Sequence, residues 1–162
     1  MYLRRLFLGE FIKPHEQADA YPELPTAFKV CSVSASKNPA DAEFVEWVRI
    51  LQANERSAFR NGMSTLLKLA NAGRKLETHY GPKECHEAHR FNHANQVHVV
   101  WRIRRGDLRI LFYYGAERII LITDSFPKHR DKLTKAQKLK SEQTIKAFVD
   151  AKKVKYTRGD RK

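Results

Sequence analysis

Between Phe28 and Ser34 the chain alternates, with Phe28, Val30, Ser32 and Ser34 on one side of an extended segment and Lys29, Cys31 and Val33 on the other. A period of two predicts a strand. The period then lengthens. Asn38-Pro39 is a helix start, because the Asn side chain can accept from an orphan amide and Pro fills the first helical position without wasting a donor. Phe44, Val45, Val48 and Leu51 follow at helical spacing. Beyond Asn54 a second run, Phe59, Met63, Leu66, Leu67 and Ala70, repeats it up to Gly73, a residue suited to ending a helix. Two amphipathic helices in succession predict a helical hairpin that needs a sheet to cover.

Three β-rich runs supply that sheet: Val97 to Arg104, Asp107 to Tyr114 and Glu117 to Asp124. Arg105-Gly106 and Gly115-Ala116 separate them as two-residue loops with glycine available for positive φ, which predicts an antiparallel meander. With loops of that length Arg104 faces Asp107, so Arg102 lies across from Arg109, Val100 from Leu111 and His98 from Tyr113, all on one face. Trp101, Ile103, Leu108, Ile110 and Phe112 take the other face, the one for the helical hairpin. Pro127 then breaks the chain, and Thr134 with Gln137 forms a capping box for a last helix carrying Leu139, Ile145, Phe148 and Val149. The expected fold class is α+β: an antiparallel sheet with an N-terminal helical hairpin packed on one face and a C-terminal helix. Residues 1–26, with Pro14, Pro22 and Pro25 in a polar stretch, read as an arm over the surface. Residues 27–151 form the domain, and 152–162 a basic tail expected to be disordered.

Composition adds a partner. With 162 residues and 42% hydrophobic content the chain can bury one core, and a second independent domain is not expected. The formal charge is +13, and from Val97 onward 18 Lys and Arg stand against 7 Asp and Glu, so most of the field originates there. A field of that sign captures polyanions. Cys31 and Cys85 have no framework spacing and read as reduced thiols of a cytosolic protein. Met1 to Leu8 carries two arginines in a very short apolar run and does not read as a secretory signal. No run approaches the roughly 20 apolar residues of a spanning helix, so a cytoplasmic protein without a membrane partner is expected.

The charges concentrate in two places. Like charges opposed on neighbouring strands repel, so Arg102 across from Arg109 asks for a compensating anion. A phosphate clamp answers it, with Arg102, Arg104 and Arg109 as planar, permanently charged donors and Arg105 as a further phosphate-binding residue; the plainer alternative is a solvated face paired with Asp107 and Asp124. The second place is Phe126-Pro127-Lys128-His129-Arg130-Asp131-Lys132, where Lys128 and His129 can transfer protons and Arg130 and Lys132 can bind phosphate. His79, His86, His89 and His93 with Cys85 invite a zinc reading, but Cys-His adjacency is poor geometry and no second ligand pair stands at an orthodox distance. No metal or other cofactor is expected, and that stretch reads as a polar loop with surface histidines.

The order of these parts resembles the RelE/ParE superfamily of toxins from type II toxin-antitoxin systems, particularly its phage-derived HigB-like branch. The residues that carry the resemblance are Trp101-Arg102-Ile103-Arg104, Arg109-Ile110-Leu111-Phe112-Tyr113, Ile119-Ile120-Leu121-Ile122 and Phe126-Pro127-Lys128-His129, over roughly Phe28 to Lys152. It implies a RelE-like fold and an mRNA endonuclease, a hydrolase that inhibits translation at the ribosome by metal-independent attack of the RNA 2′-hydroxyl, leaving a cyclic phosphate. It also implies a cognate acidic antitoxin as partner. By this resemblance Arg109, Lys128 and His129 are catalytic, Arg109 by stabilising the phosphorane, and Arg104 binds phosphate. Tyr156 stands as a candidate for the C-terminal tyrosine of RelE itself. Residues 1–26 and the segment Glu84 to Gln96 are additions to the family pattern. Two alternatives remain open: a ParE-like gyrase inhibitor that does no chemistry, and a non-enzymatic nucleic-acid-binding protein.

Overall fold

Apolar alternation over so many short runs has to end in a shared sheet, and in the computed structural model, which describes residues 1–13, 15–128 and 132–158, it ends in one. Its strands are β1 (Tyr2–Arg5), β2 (Lys29–Ser34), β3 (Cys85–His93), β4 (Gln96–Arg105), β5 (Leu108–Tyr114), β6 (Ile119–Pro127) and β7 (Lys155–Tyr156). The spatial order is β3-β4-β5-β6-β2-β1-β7. Among the described residues three α-helices accompany it: α1 (Glu43–Ile50), α2 (Ala53–Asn71) and α3 (Lys135–Asp150). The protein is α+β with a mixed sheet. The expected antiparallel sheet is found in β3 to β6, but β2 joins β6 in parallel and β7 joins β1 in parallel. Both parallel pairs close over long connections, which is the condition parallel pairing requires.

Helices α1 and α2 cover one face. Phe44, Trp47, Phe59, Met63 and Leu66 bury against Ile103, Leu108, Ile110 and Phe112 in one cluster, on the face predicted for them. Helix α2 ends at Asn71, with Gly73 at φ 70° just beyond. Asn38 does cap as expected, accepting from the Ala40 amide at 3.0 Å, but it opens only a 3₁₀ turn, Pro39–Asp41, and α1 starts at Glu43. The opposite face is not open. Helix α3 lies on it, with Ile145 buried against Val100 and Leu111, and Phe148 against Leu3, Cys31, Ile119 and Leu121. Thr134 and Gln137 form the predicted capping box, with Gln137 N–H donating to Thr134 Oγ1 at 3.1 Å and Thr134 N–H to Gln137 Oε1 at 2.9 Å.

Several details differ from the sequence reading. The β4–β5 turn is Gly106-Asp107, so Arg105 pairs with Leu108 and Arg104, not Arg102, lies opposite Arg109. The slip is two residues, and because side chains alternate with period two every residue keeps its predicted face. The β5–β6 connection is a four-residue turn, in which Glu117 and Arg118 take the positive φ expected of Gly115. Gly115 is needed for space: a Cβ there would lie 2.5 Å from Phe148 Cε2. The stretch of histidines read as a polar loop contains β3, Cys85–His93, which turns into β4 through Ala94-Asn95 at φ 52° and 61°. Residues Tyr2–Arg5 of the supposed arm are β1, with Leu3, Leu6, Leu8 and Phe11 in the core. Lys155–Tyr156 of the supposed disordered tail is β7, where Lys155 N–H donates to Met1 O and Thr157 N–H to Leu3 O, each at 2.9 Å. No helix among the described residues is long and apolar enough to cross a membrane.

Candidate nucleic-acid interface

Alternation along β4 and β5 turns Arg102, Arg104 and Arg109 toward α3 and Arg105 toward α2. Arg105 is thereby separated from the clamp: its Cγ and Cβ flank Gly62 of α2, 3.6 and 3.8 Å from where a Cβ on that glycine would sit. Arg109 is 2% exposed, and its Nη1 donates to Gly106 O at 2.8 Å and Leu108 O at 3.0 Å, so the guanidinium braces the β4–β5 turn. Ser125 Oγ donates to Arg109 O at 3.0 Å and ties the same point to β6. The solvated face of the plainer alternative is not found at Arg109, which lies buried under the start of α3.

Arg102 and Arg109 meet again with Lys132 in a narrow slot also lined by Phe126, Leu133, Thr134 and Gln137. Thr134 and Gln137 are the capping box, so the positive end of the α3 dipole faces the two guanidinium groups and the ammonium. The combination gathers three cations and a helix N-terminus at one slot. Its interior of about 10 Å³ has room for no more than a water molecule, and of its three cations Arg102 and Lys132 are more exposed than Arg109. Lys128 lies alongside, its N–H donating to Asp107 O at 2.5 Å on the β4–β5 turn. His129 and Arg130 lie outside the described residues. Arg104 is half-buried with its N–H on Glu84 O at 2.7 Å.

The sequence reading placed His86 among surface histidines and missed its contact with Arg102. His86 sits on β3 directly across from Arg102, and Arg102 Nη2 donates to its Nε2 at 2.5 Å while its Nδ1 lies 2.9 Å from Glu87 O. A carbonyl can only accept, so Nδ1 carries the hydrogen and Nε2 accepts from the guanidinium. The only sequence signal was a histidine two residues from the next, His-x-x-His-x-x-x-His, in a segment too polar to read as a strand. His89 and His93 fasten β3 to α3, and His98 fastens β4 to β5. His89 Nε2 is 2.6 Å from Glu142, His93 Nε2 is 2.8 Å from Asp150, and His98 Nδ1 is 2.8 Å from the Tyr113 hydroxyl. No three His, Cys, Asp or Glu among the described residues are grouped to hold a metal ion.

Asp124, offered as a partner for the arginines, pairs instead with Lys140 of α3 at 3.1 Å and accepts from Ser125 N–H at 2.9 Å. Burial raises its carboxyl above the ordinary value of 3.8, against the pull of Lys140. Glu43 of α1 is raised too, first by burial, then opposed by Lys140 and reinforced by Asp124. Cys31 and Cys85 are buried free thiols, each pushed up to about 12 chiefly by burial, and are poor nucleophiles at neutral pH. Tyr156 stands on β7 at the sheet edge away from the arginine slot. No family model matches the chain, and neither a curated protein nor a solved structure matches it.

Proposed function

We propose that the chain is the toxin of a type II toxin-antitoxin system, a member of the RelE/ParE superfamily that cleaves mRNA in the translating ribosome. The observation that carries this reading is the convergence of Arg102, Arg109 and Lys132 on one slot at the capped N-terminus of α3, beside Lys128. The chain order supports it: β2, the helical pair α1 and α2, the strands β4 to β6 and helix α3 follow one another in the order of the resemblance, with β1, β3 and β7 as additions to it. In the proposed reaction the 2′-hydroxyl oxygen attacks the adjacent phosphorus. The O2′–P bond forms, the P–O5′ bond breaks, a base takes the 2′ proton and an acid protonates the departing 5′ oxygen. Lys128 and His129 are the proposed proton carriers. Arg109, held rigid by two carbonyls, presents fixed positive charge to the phosphorane, while Arg102 and Lys132 hold the phosphate. An acidic antitoxin segment would neutralise the same field.

The burial of Arg109 favours a second reading, in which the arginines are structural and the protein binds RNA without cutting it. Primer extension on cellular mRNA after a brief pulse of expression separates the two. Discrete in-frame cuts are the expected result. Intact mRNA would overturn the nuclease, and an accompanying SOS response would point to gyrase as the target.

A further inference from the structure

At the other end of α3 from the arginine slot lies a cavity of about 780 Å³, within the ordinary range for small-molecule sites. His98, Tyr113, Phe148 and Tyr156 contribute rings to its wall, and Lys152 and Lys153 stand at it as cations against the single carboxylate of Glu117. Lys29 adds an ammonium 5.7 Å from the Tyr156 ring centroid. Rings interleaved with ammonium groups suit a planar base carrying an anion, because every base offers a π-face and its phosphate a charge.

One polar group in this wall has a fixed sense. His98 is 4% exposed, and its Nε2 lies 3.0 Å from the carbonyl of His93, so Nε2 carries the hydrogen. In the neutral ring Nδ1 therefore accepts, and Tyr113 donates its hydroxyl hydrogen to it at 2.8 Å. The Tyr113 oxygen is left able only to accept. Burial raises the hydroxyls of Tyr113 and Tyr156 above the ordinary phenol value, so neither offers an anion that would repel a phosphate.

We propose that this cavity is a nucleotide site, which stacks one unpaired base on its aromatic wall, sets an amino group of that base on Tyr113 and holds its phosphate on Lys152 and Lys153. Where the nucleotide belongs to a bound RNA, the proposal rests on the RNA reading given above. Helix α3, with 16 residues, then separates the two sites by about 24 Å, a few nucleotides of extended strand.

The test is fluorescence anisotropy with a short labelled single-stranded RNA and the same RNA made abasic, on wild type, Tyr156→Ala, Lys152→Ala/Lys153→Ala and Lys132→Ala. A calorimetric titration with adenosine, cytidine and uridine monophosphates runs beside it. Tyr156 and both lysines are exposed, so these variants keep the wild-type melt. Tyr156→Ala should weaken intact RNA about tenfold and abasic RNA hardly at all, and the lysine pair should weaken both. Adenosine and cytidine monophosphates should bind more tightly than uridine monophosphate, and Tyr113→Phe should erase that preference. If Lys132→Ala weakens RNA while both cavity variants bind it as wild type does, the cavity proposal falls and the RNA reading stands. If RNA does not bind but mononucleotides do, with loss in Tyr156→Ala, the nucleotide site stands and the RNA reading falls. Indifference of every probe to the cavity variants overturns the proposal.

Discussion

Arg109 illustrates how one side chain can serve the fold and the site together. Its guanidinium satisfies the carbonyls of Gly106 and Leu108 from a buried position, so truncation leaves the buried Leu108 carbonyl without this donor and frees the exposed turn at Gly106. Arg109→Ala should therefore cost about 2–4 kcal/mol of stability in a urea titration, and Arg109→Lys less, since an ammonium can still donate. A melt unchanged by alanine would show that the turn does not depend on the bond. Asp124 makes the opposite kind of prediction. Its folded carboxyl titrates above the ordinary 3.8, so the native state binds more protons than the unfolded chain, and stability falls as pH rises through that interval. Asp124→Asn should remove this loss and relieve Glu43. The Tm of the variant relative to wild type should rise between about pH 4 and pH 7; a constant difference would contradict the assigned cause.

At the scale of elements, the parts that were legible in the sequence are those whose packing rests on apolar periodicity. The hairpin face of α2, the meander and the capping box of α3 all followed from spacing alone. Strand β3 did not, because its residues Cys85–His93 hold their place through His89 and His93 on the carboxylates of α3 and through pairing with β4. Strands β1 and β7 are short edge elements whose partners lie far away in sequence, and local pattern carries no such information. The register error came from assigning Arg105 to the turn, which Gly106-Asp107 occupies. As for the site, the arginine cluster was visible as charge, but which arginines share a face with α3, and that His86 supports Arg102, depended on β3 and α3 being in place.

Two substitutions test these elements. The Ala94-Asn95 turn puts alanine at φ 52°, a left-handed conformation that costs an L side chain about 1–2 kcal/mol. Replacing the pair by Asn-Gly should stabilise the β3–β4 hairpin by about 1 kcal/mol, read as a higher denaturation midpoint. Gly115→Ala should do the reverse, by about 1–3 kcal/mol, because its new methyl group must displace the Phe148 ring that anchors the end of α3.

Across the whole molecule, which carries a charge of +13, Arg102, Arg109 and Lys132 line the slot at one end of α3 and Lys152 and Lys153 the cavity at the other. Removal of 152–162 deletes six basic residues and one acid, which should lower RNA affinity and flatten its salt dependence. It also deletes β7 and its pairing with β1, so the same truncation should lower the Tm, where a disordered tail would leave it unchanged. The proposed nuclease depends on fixed positive charge from Arg109, with Arg102 and Lys132 beside it in the slot. Single-turnover cleavage of mRNA on programmed ribosomes, by wild type and by Arg109→Gln, which keeps an amide donor but no charge and is confirmed folded by its melt, tests it most directly. Discrete cuts by wild type and a rate roughly 10²–10³ lower for the variant, with ribosome binding largely kept, are the predicted result. A folded Arg109→Gln protein that cuts at the wild-type rate would contradict it.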